Sequence, residues 1–150
     1  MYDSTKDADI HIKNIQRVYG DKVKPYIDKR FENHDRSKYS EPELSTYNTF
    51  IPKLREAKYG SPEYNAIRDK MFEQGLKHHF QVNRHHPEHF DGDFNRMNLI
   101  DLLEMVCDWY AASLKSDTGF EEGLQINADK FNMSPLLVNI LMNTYKDVIK

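Results

Sequence analysis

The sequence predicts an all-α fold, a single-domain bundle of about six or seven helices, on three observations. Apolar residues recur at spacings near three and four through most of the chain, the period of a helix with one buried face. A serine followed closely by a proline, a pairing that caps and opens helices, recurs at Ser40/Pro42, Ser61/Pro62 and Ser134/Pro135. The strand signal is weak throughout.

Residues 1–9 are polar and expected to fray. From about Ala8 to Tyr19, Ile10, Ile12, Ile15 and Val18 suit a helix with one buried face, which His11 shares with Ile15 and Val18 at i+4 and i+7. Gly20 is a natural stop, Asp21 a cap for a second helix carrying Val23, Ile27 and Phe31, and Pro25 falls near its first turn. That helix delivers His34-Asp35 at its end. Ser40 to Glu43 reads as a capping box opening a helix through Tyr47 toward Leu54, bent or broken near Pro52. Tyr59-Gly60-Ser61-Pro62 is the next break, and the helix after it, about 63–81, carries Tyr64, Ile67, Met71 and a histidine pair at its end. Residues 83–98, with Pro87 and Gly92, read as a loop over the site. The dense apolar run from about Met97 to Lys115 suits the central helix of the bundle. Residues 116–133 read as a polar connection and a short helix. Ser134-Pro135 opens the last helix, whose expected buried face is Leu136, Leu137, Ile140, Leu141 and Tyr145.

A length of 150 residues suits one sizeable core. The net charge of −3 gives no bias toward nucleic acid or anionic membranes. No apolar stretch approaches the ~20 residues of a membrane span, and the polar N-terminus lacks a signal-peptide core. The one cysteine, Cys107, has no partner for an intramolecular disulfide, which suits a reducing cytoplasm, or a host's if the protein is phage-encoded. In its apolar helix it reads as a packed thiol, not a nucleophile. P-loop, G-x-G-x-x-G, H-E-x-x-H and CxxC patterns are lacking.

What remains is a set of metal-ligand types in a telling order: His11, then His34-Asp35, then His78, His79, His85, His86 and His89, then Asp101, Glu104 and Asp108 in the apolar run. Imidazole and carboxylate mixed in one site suit a divalent transition ion such as Mn, Fe, Co, Ni or Zn. Asp101 and Asp108 are seven apart, so they share one helical face with Glu104 between them. An ordinary solvated carboxylate is the bland alternative for either, and for Asp101 a partner to a histidine is the functional one.

This order resembles the HD-domain superfamily of metal-dependent phosphohydrolases. His34 to Lys38 (HD-x-S-K), the histidine-rich segment 78–89 and Glu104 to Trp109 (E-M-x-x-D-W) look like the motifs of a phage and bacterial branch of it. The resemblance covers about residues 11–113, which implies a motif-bearing core at about 8–115 and a C-terminal helical extension at 116–150. It implies that His11, His34, Asp35 and Asp108 hold one ion, with a bound hydroxide attacking phosphorus in line. A second ion is implied by analogy with HD phosphodiesterases, with His79 and His86 nearest the metal. In a one-metal site these histidines bind phosphate instead, and His78 and His85 are assigned to substrate. The segment His85 to Gly92 is similar to one in the HD-GYP phosphodiesterases, but Asp93-Phe94 stands where they carry tyrosine-proline. Lys38 occupies the place of a glutamate in the HD 5′-nucleotidases and reads as a fixed positive charge toward a phosphoryl oxygen, unless Glu41 or Glu43 holds it. Arg84 and Arg36 are candidate phosphate clamps, and Glu88 a candidate acid/base.

The expectation is a metal-dependent phosphohydrolase acting on a nucleotide or related small phosphate ester, with Asp35, Lys38 and Glu88 in catalysis. The alternative is a non-catalytic nucleotide- or metal-binding HD module, such as a phage accessory protein that sequesters a ligand or host factor. The partner is a small molecule rather than a membrane or nucleic acid, and self-association is left open.

Overall fold

In a computed structural model of the protein, residues 4–58, 61–115 and 118–150 are described. Among them the chain is all α: eight α-helices, some joined through π turns into six continuous rods, and no strand. No helix among them is long and apolar enough to cross a membrane. Tyr59 and Gly60 of the predicted break, and residues 116 and 117 of the predicted connection, lie outside the described residues. The chain divides into two compact units, Met1–His34 and Asp35–Lys150. That division does not fall at residue 115, where the motif-bearing core was expected to end.

The first unit is one rod. Helix α1 (Ser4–Val18) runs through a π turn (Tyr19–Val23) into α2 (Lys24–Glu32). The predicted break at Gly20 and cap at Asp21 do not occur: neither Val18 nor Val23 makes a side-chain cap. The π turn explains how Pro25 is accommodated, since widening the preceding turn relieves the clash between its ring and the carbonyl four residues back. The expected buried face is not realised, and Ile10, Ile12, Ile15 and Val18 are all more than half exposed except Ile12 at 50%. A lone rod offers its apolar stripe nothing within its own unit to pack against.

In the second unit, α3 (Glu43–Glu56) runs unbroken through Pro52. Ser40 does not cap it, and Glu43 does not close a capping box. Its carboxylate is buried and turned toward histidines instead. Ser61 does cap α4 (Pro62–Met71), accepting from the Tyr64 N–H, and a π turn (Phe72–Leu76) carries α4 into α5 (Lys77–Val82). Helix α3 packs on this rod closely enough that a Cβ at Gly75 would stand 2.5 Å from Thr46 Oγ1. The close approach sets the site: one turn before Thr46 is Glu43, and one turn after Gly75 are His78 and His79.

The loop after α5 is packed, with Pro87 and Phe90 buried in a 3₁₀ turn (Pro87–Phe90). Asn98 and Asp101 then form a true capping box at the start of α6 (Leu99–Ser113). The predicted polar connection is in part a full helix, α7 (Phe120–Lys130), which buries Phe120, Leu124 and Ala128 at i, i+4 and i+8. Ser134 caps α8 (Pro135–Thr144), which ends in a π segment (Tyr145–Ile149). Its buried face is Leu141 and Tyr145, whereas Leu136 and Ile140 face solvent, a face rotated from the predicted one. Met105, Val106, Phe120, Leu124, Leu141 and Tyr145 make one core. The C-terminal helices are thus part of the second unit's core, not an appendage to it.

Candidate metal centre

The site begins where α2 stops. Asn33 closes the helix with both its backbone N–H and its Nδ2 on the Lys29 carbonyl, at 3.2 and 2.7 Å. His34, the last residue of the first unit, is bonded directly to Asp35, the first of the second. Asp35 has φ 55° and ψ 19°, the left-handed region, which costs a non-glycine residue about 1–2 kcal/mol. The 3₁₀ turn that follows (Arg36–Tyr39) brings the Lys38 ammonium back onto Asp35 Oδ2.

Three histidines converge on this carboxylate. His79 Nε2 stands 3.4 Å from Asp35 Oδ1 and His85 Nε2 stands 3.5 Å from it. His86 Nε2 lies 2.8 Å from His79 Nε2. One donor atom from each of Asp35, His79, His85 and His86 lies within 4.8 Å of the others, and Asp108 joins Asp35 and His85 in an overlapping group at the same spacing. Donors around an ion bound at about 2.0–2.2 Å are separated by roughly 3–4 Å, so the spacing suits chelation.

The far sides of two of these rings are held by buried glutamates. His79 Nδ1 lies 2.8 Å from Glu43 Oε2, and His85 Nδ1 lies 3.3 Å from Glu104 Oε1. A carboxylate on Nδ1 fixes the proton there and turns the Nε2 lone pair toward the site, the arrangement that orients metal-ligating imidazoles. Glu43 is itself buttressed: Ser37 Oγ donates to its Oε2 at 2.9 Å, and Asn83 Nδ2 donates to Ser37 Oγ at 2.8 Å. Burial holds the His79 imidazole below its ordinary pKa. Burial, then the neighbouring His85 and His79, push His86 down to about 3. Both are neutral near pH 7, the form that ligates. Burial first, then Glu43, Asp35 and Asp108, push the Tyr47 phenol up, as expected beside several carboxylates.

Of the residues singled out by sequence, Asp35, His79, His86 and Asp108 stand in the cluster. His85, assigned to substrate, stands among the ligand candidates instead, because its ring is buried and backed by Glu104. His78 is half-exposed, with Nδ1 2.8 Å from Glu43 Oε1. Lys38 is held by Asp35 rather than by Glu41 or Glu43. Arg84 is not free to clamp phosphate with its fork, since Nε and Nη2 bond Asp101 at 3.1 and 2.8 Å. Asp101 is accordingly a buried partner of an arginine. Glu88 is bonded by Lys130 at 3.0 Å. His89 bonds the Phe80 carbonyl through Nδ1, and Arg36 lies over the Tyr39 ring. The raised pKa of Cys107, from burial and then Glu104 and Asp108, agrees with an inert thiol.

His11 is not brought to His34. The continuous rod between them rises ~1.5 Å per residue and sets them roughly 30 Å apart, so the two cannot share an ion within one chain. The sequence reading gave no part in the site to Glu43, Ser37 or Asn83, and named Glu104 without a role. Glu43 was hidden by its resemblance to a capping residue. Glu104 lies four residues before Asp108, a spacing that places both on one face.

Fold and site together define an all-α protein with a buried histidine–aspartate cluster that can hold a metal ion. The chain belongs to a family of unknown function (DUF5662), whose model matches residues 1–147. No curated protein and no solved structure matches it.

Proposed function

We propose that the protein is an HD-type, metal-dependent phosphohydrolase acting on a nucleotide or a related small phosphate ester. The observation that carries this reading is the convergence of Asp35 with three imidazoles, two of them backed by buried glutamates. The donor set, nitrogen-rich with one or two carboxylates, fits one or two divalent ions of the Mn, Fe, Co, Ni or Zn type. Asp35, His79, His85, His86 and Asp108 are the proposed ligands. A bound ion of this type supplies Lewis acidity toward phosphoryl oxygens and makes water acidic enough to react near neutral pH.

The chain's own residues prepare that chemistry. Glu43 and Glu104 keep the Nδ1 protons of His79 and His85 in place, so their Nε2 atoms face inward without reorganisation. Lys38 balances the charge of Asp35 and carries a positive charge beside the cluster, where a phosphoryl oxygen is held. His78, half-exposed and steadied by Glu43, is the imidazole placed to donate to a second oxygen. One observation favours the alternative of a binding module without turnover: the proposed acid/base, Glu88, is engaged by Lys130.

Metal analysis of the purified protein, followed by assay of a generic aryl phosphate ester with Mn, Co or Ni, tests the reading. Stoichiometric metal and hydrolysis abolished in Asp35→Ala are expected. Metal bound without hydrolysis of any ester in a nucleotide panel would move the protein to the binding-module class.

A further inference from the structure

We propose that the cavity between α6 and α7 is a nucleobase pocket, in which Trp109 stacks on the purine or pyrimidine ring of the substrate. The assignment of the ring to a substrate rests on the phosphohydrolase reading, whereas ring binding itself does not. The cavity measures about 200 Å³ and is walled by Trp109, Phe120 and Ala112, with Ser113 and Asn127 opening polar groups onto it. Gly123 also lines it, and a Cβ there would meet nothing within 4 Å. Its volume falls below the ~300–1,000 Å³ that encloses a drug-sized ligand, so it takes one ring system rather than a whole nucleotide.

Its walls distinguish it from a packing defect. A void lined by aliphatic groups stays dry and selects nothing, but two aromatic rings with a hydroxyl and an amide at the margin match a flat ligand with a polar edge. Stacking is sequence-tolerant because every base has a π face, and an amide such as that of Asn127 carries both donor and acceptor for the edge. Position links the cavity to the cluster. Trp109 follows Asp108 directly, and Ala112 lies one turn beyond Asp108 on the same face of α6, about 6 Å along its axis. A phosphate held at the cluster therefore leaves its base within reach of the cavity.

Trp109 is the one tryptophan of the chain, so its fluorescence reports on this wall alone. Adenosine and cytidine, which lack phosphate, are titrated against the protein with excitation at the red edge of the indole band. Saturable quenching is expected in the wild type and in Asp35→Ala. In Gly123→Leu, whose side chain enters open space and favours the helix, the midpoint is expected to move about 10- to 100-fold higher with a melting temperature no lower than that of the wild type. Hydrolysis of methyl phosphate, which has no ring to stack, should be equal in wild type and Gly123→Leu, while KM for nucleotides rises in the variant. No saturable quenching, or quenching with the same midpoint in Gly123→Leu, overturns the pocket whatever the enzyme does. Quenching that obeys the prediction in a protein without hydrolysis upholds the pocket and removes the phosphohydrolase reading instead.

Discussion

Glu104 and Met105 are neighbours on α6, at 3% and 0% exposure, and they are buried for opposite reasons. Met105 faces the apolar core shared with Phe120, Leu124 and Leu141, where attraction is non-directional and summed over many contacts. Glu104 faces the histidine cluster, where the His85 Nδ1 meets its carboxylate and offsets the cost of burying it. One helix therefore carries two kinds of interior. The apolar side tolerates change in proportion to the volume lost, and the polar side depends on each partner being present.

That contrast can be broken from either side. The largest effect on stability is expected for Met105→Ala, about 2–5 kcal/mol in denaturant unfolding, with metal stoichiometry unchanged in the folded fraction. A loss of metal in that variant would mean that the two interiors are not separable.

Gly75→Ala comes next, at about 1–3 kcal/mol, because the new Cβ must push Thr46 and α3 away. The same displacement carries Glu43 off His78 and His79, so metal affinity should fall along with stability. A variant that loses stability but binds metal normally would show that the α3 contact does not set the site.

Glu43→Gln tests the polar side alone. It should weaken binding of Mn or Co by about 10- to 100-fold in calorimetry, the usual effect of removing the group behind a ligating imidazole. Unaltered affinity would leave the glutamate as mere filling.

Acid should also separate the two interiors. His79 and His86 have lowered pKa values in the folded protein, His86 to about 3, against about 6.5 in the unfolded chain. Between those values the unfolded state binds more protons, so metal-free stability falls as pH drops from about 6.5 toward 3, by about 1.4 kcal/mol per pH unit from His86, with His79 adding in the same direction. Thermal melts across that range should show the slope in wild type and a shallower one in His86→Gln. The smallest effect belongs to the first unit: Gly20→Ala, with open space around its Cβ, should stabilise the rod by about 0.5–1 kcal/mol and leave metal binding untouched.

Much of this was legible in advance, unevenly. The serine caps at Ser61 and Ser134 formed as read because each is satisfied by a backbone N–H three residues on. Gly20 and Asp21 misled because their signal is also local, and a π turn lets the rod continue through them. Periodicity misled in both directions. The isoleucines of α1 announced a buried face that finds no partner in its own unit, while α7 concealed a real one at Phe120, Leu124 and Ala128 among polar neighbours. At the site, Asp35, His79, His86 and Asp108 could be named because the order of imidazoles and carboxylates resembles that of a metal-binding superfamily. Glu43 and Glu104 could be given no role there, because a buried glutamate and a surface one look alike until the partner is known.

The sequence by itself determined the helices, most of their ends, and an inventory of imidazoles and carboxylates too rich for a plain bundle. Those follow from local sterics, hydrogen-bonding capacity and residue type, all of which are properties of short stretches. Only the tertiary structure decided which of five clustered histidines face one aspartate, that Arg84 belongs to Asp101 and Lys38 to Asp35, and that His11 stands apart from His34. The convergence of the histidines turns on distances of a few ångströms between segments remote in sequence, and the packing of Thr46 against Gly75 brings Glu43 to His78 and His79.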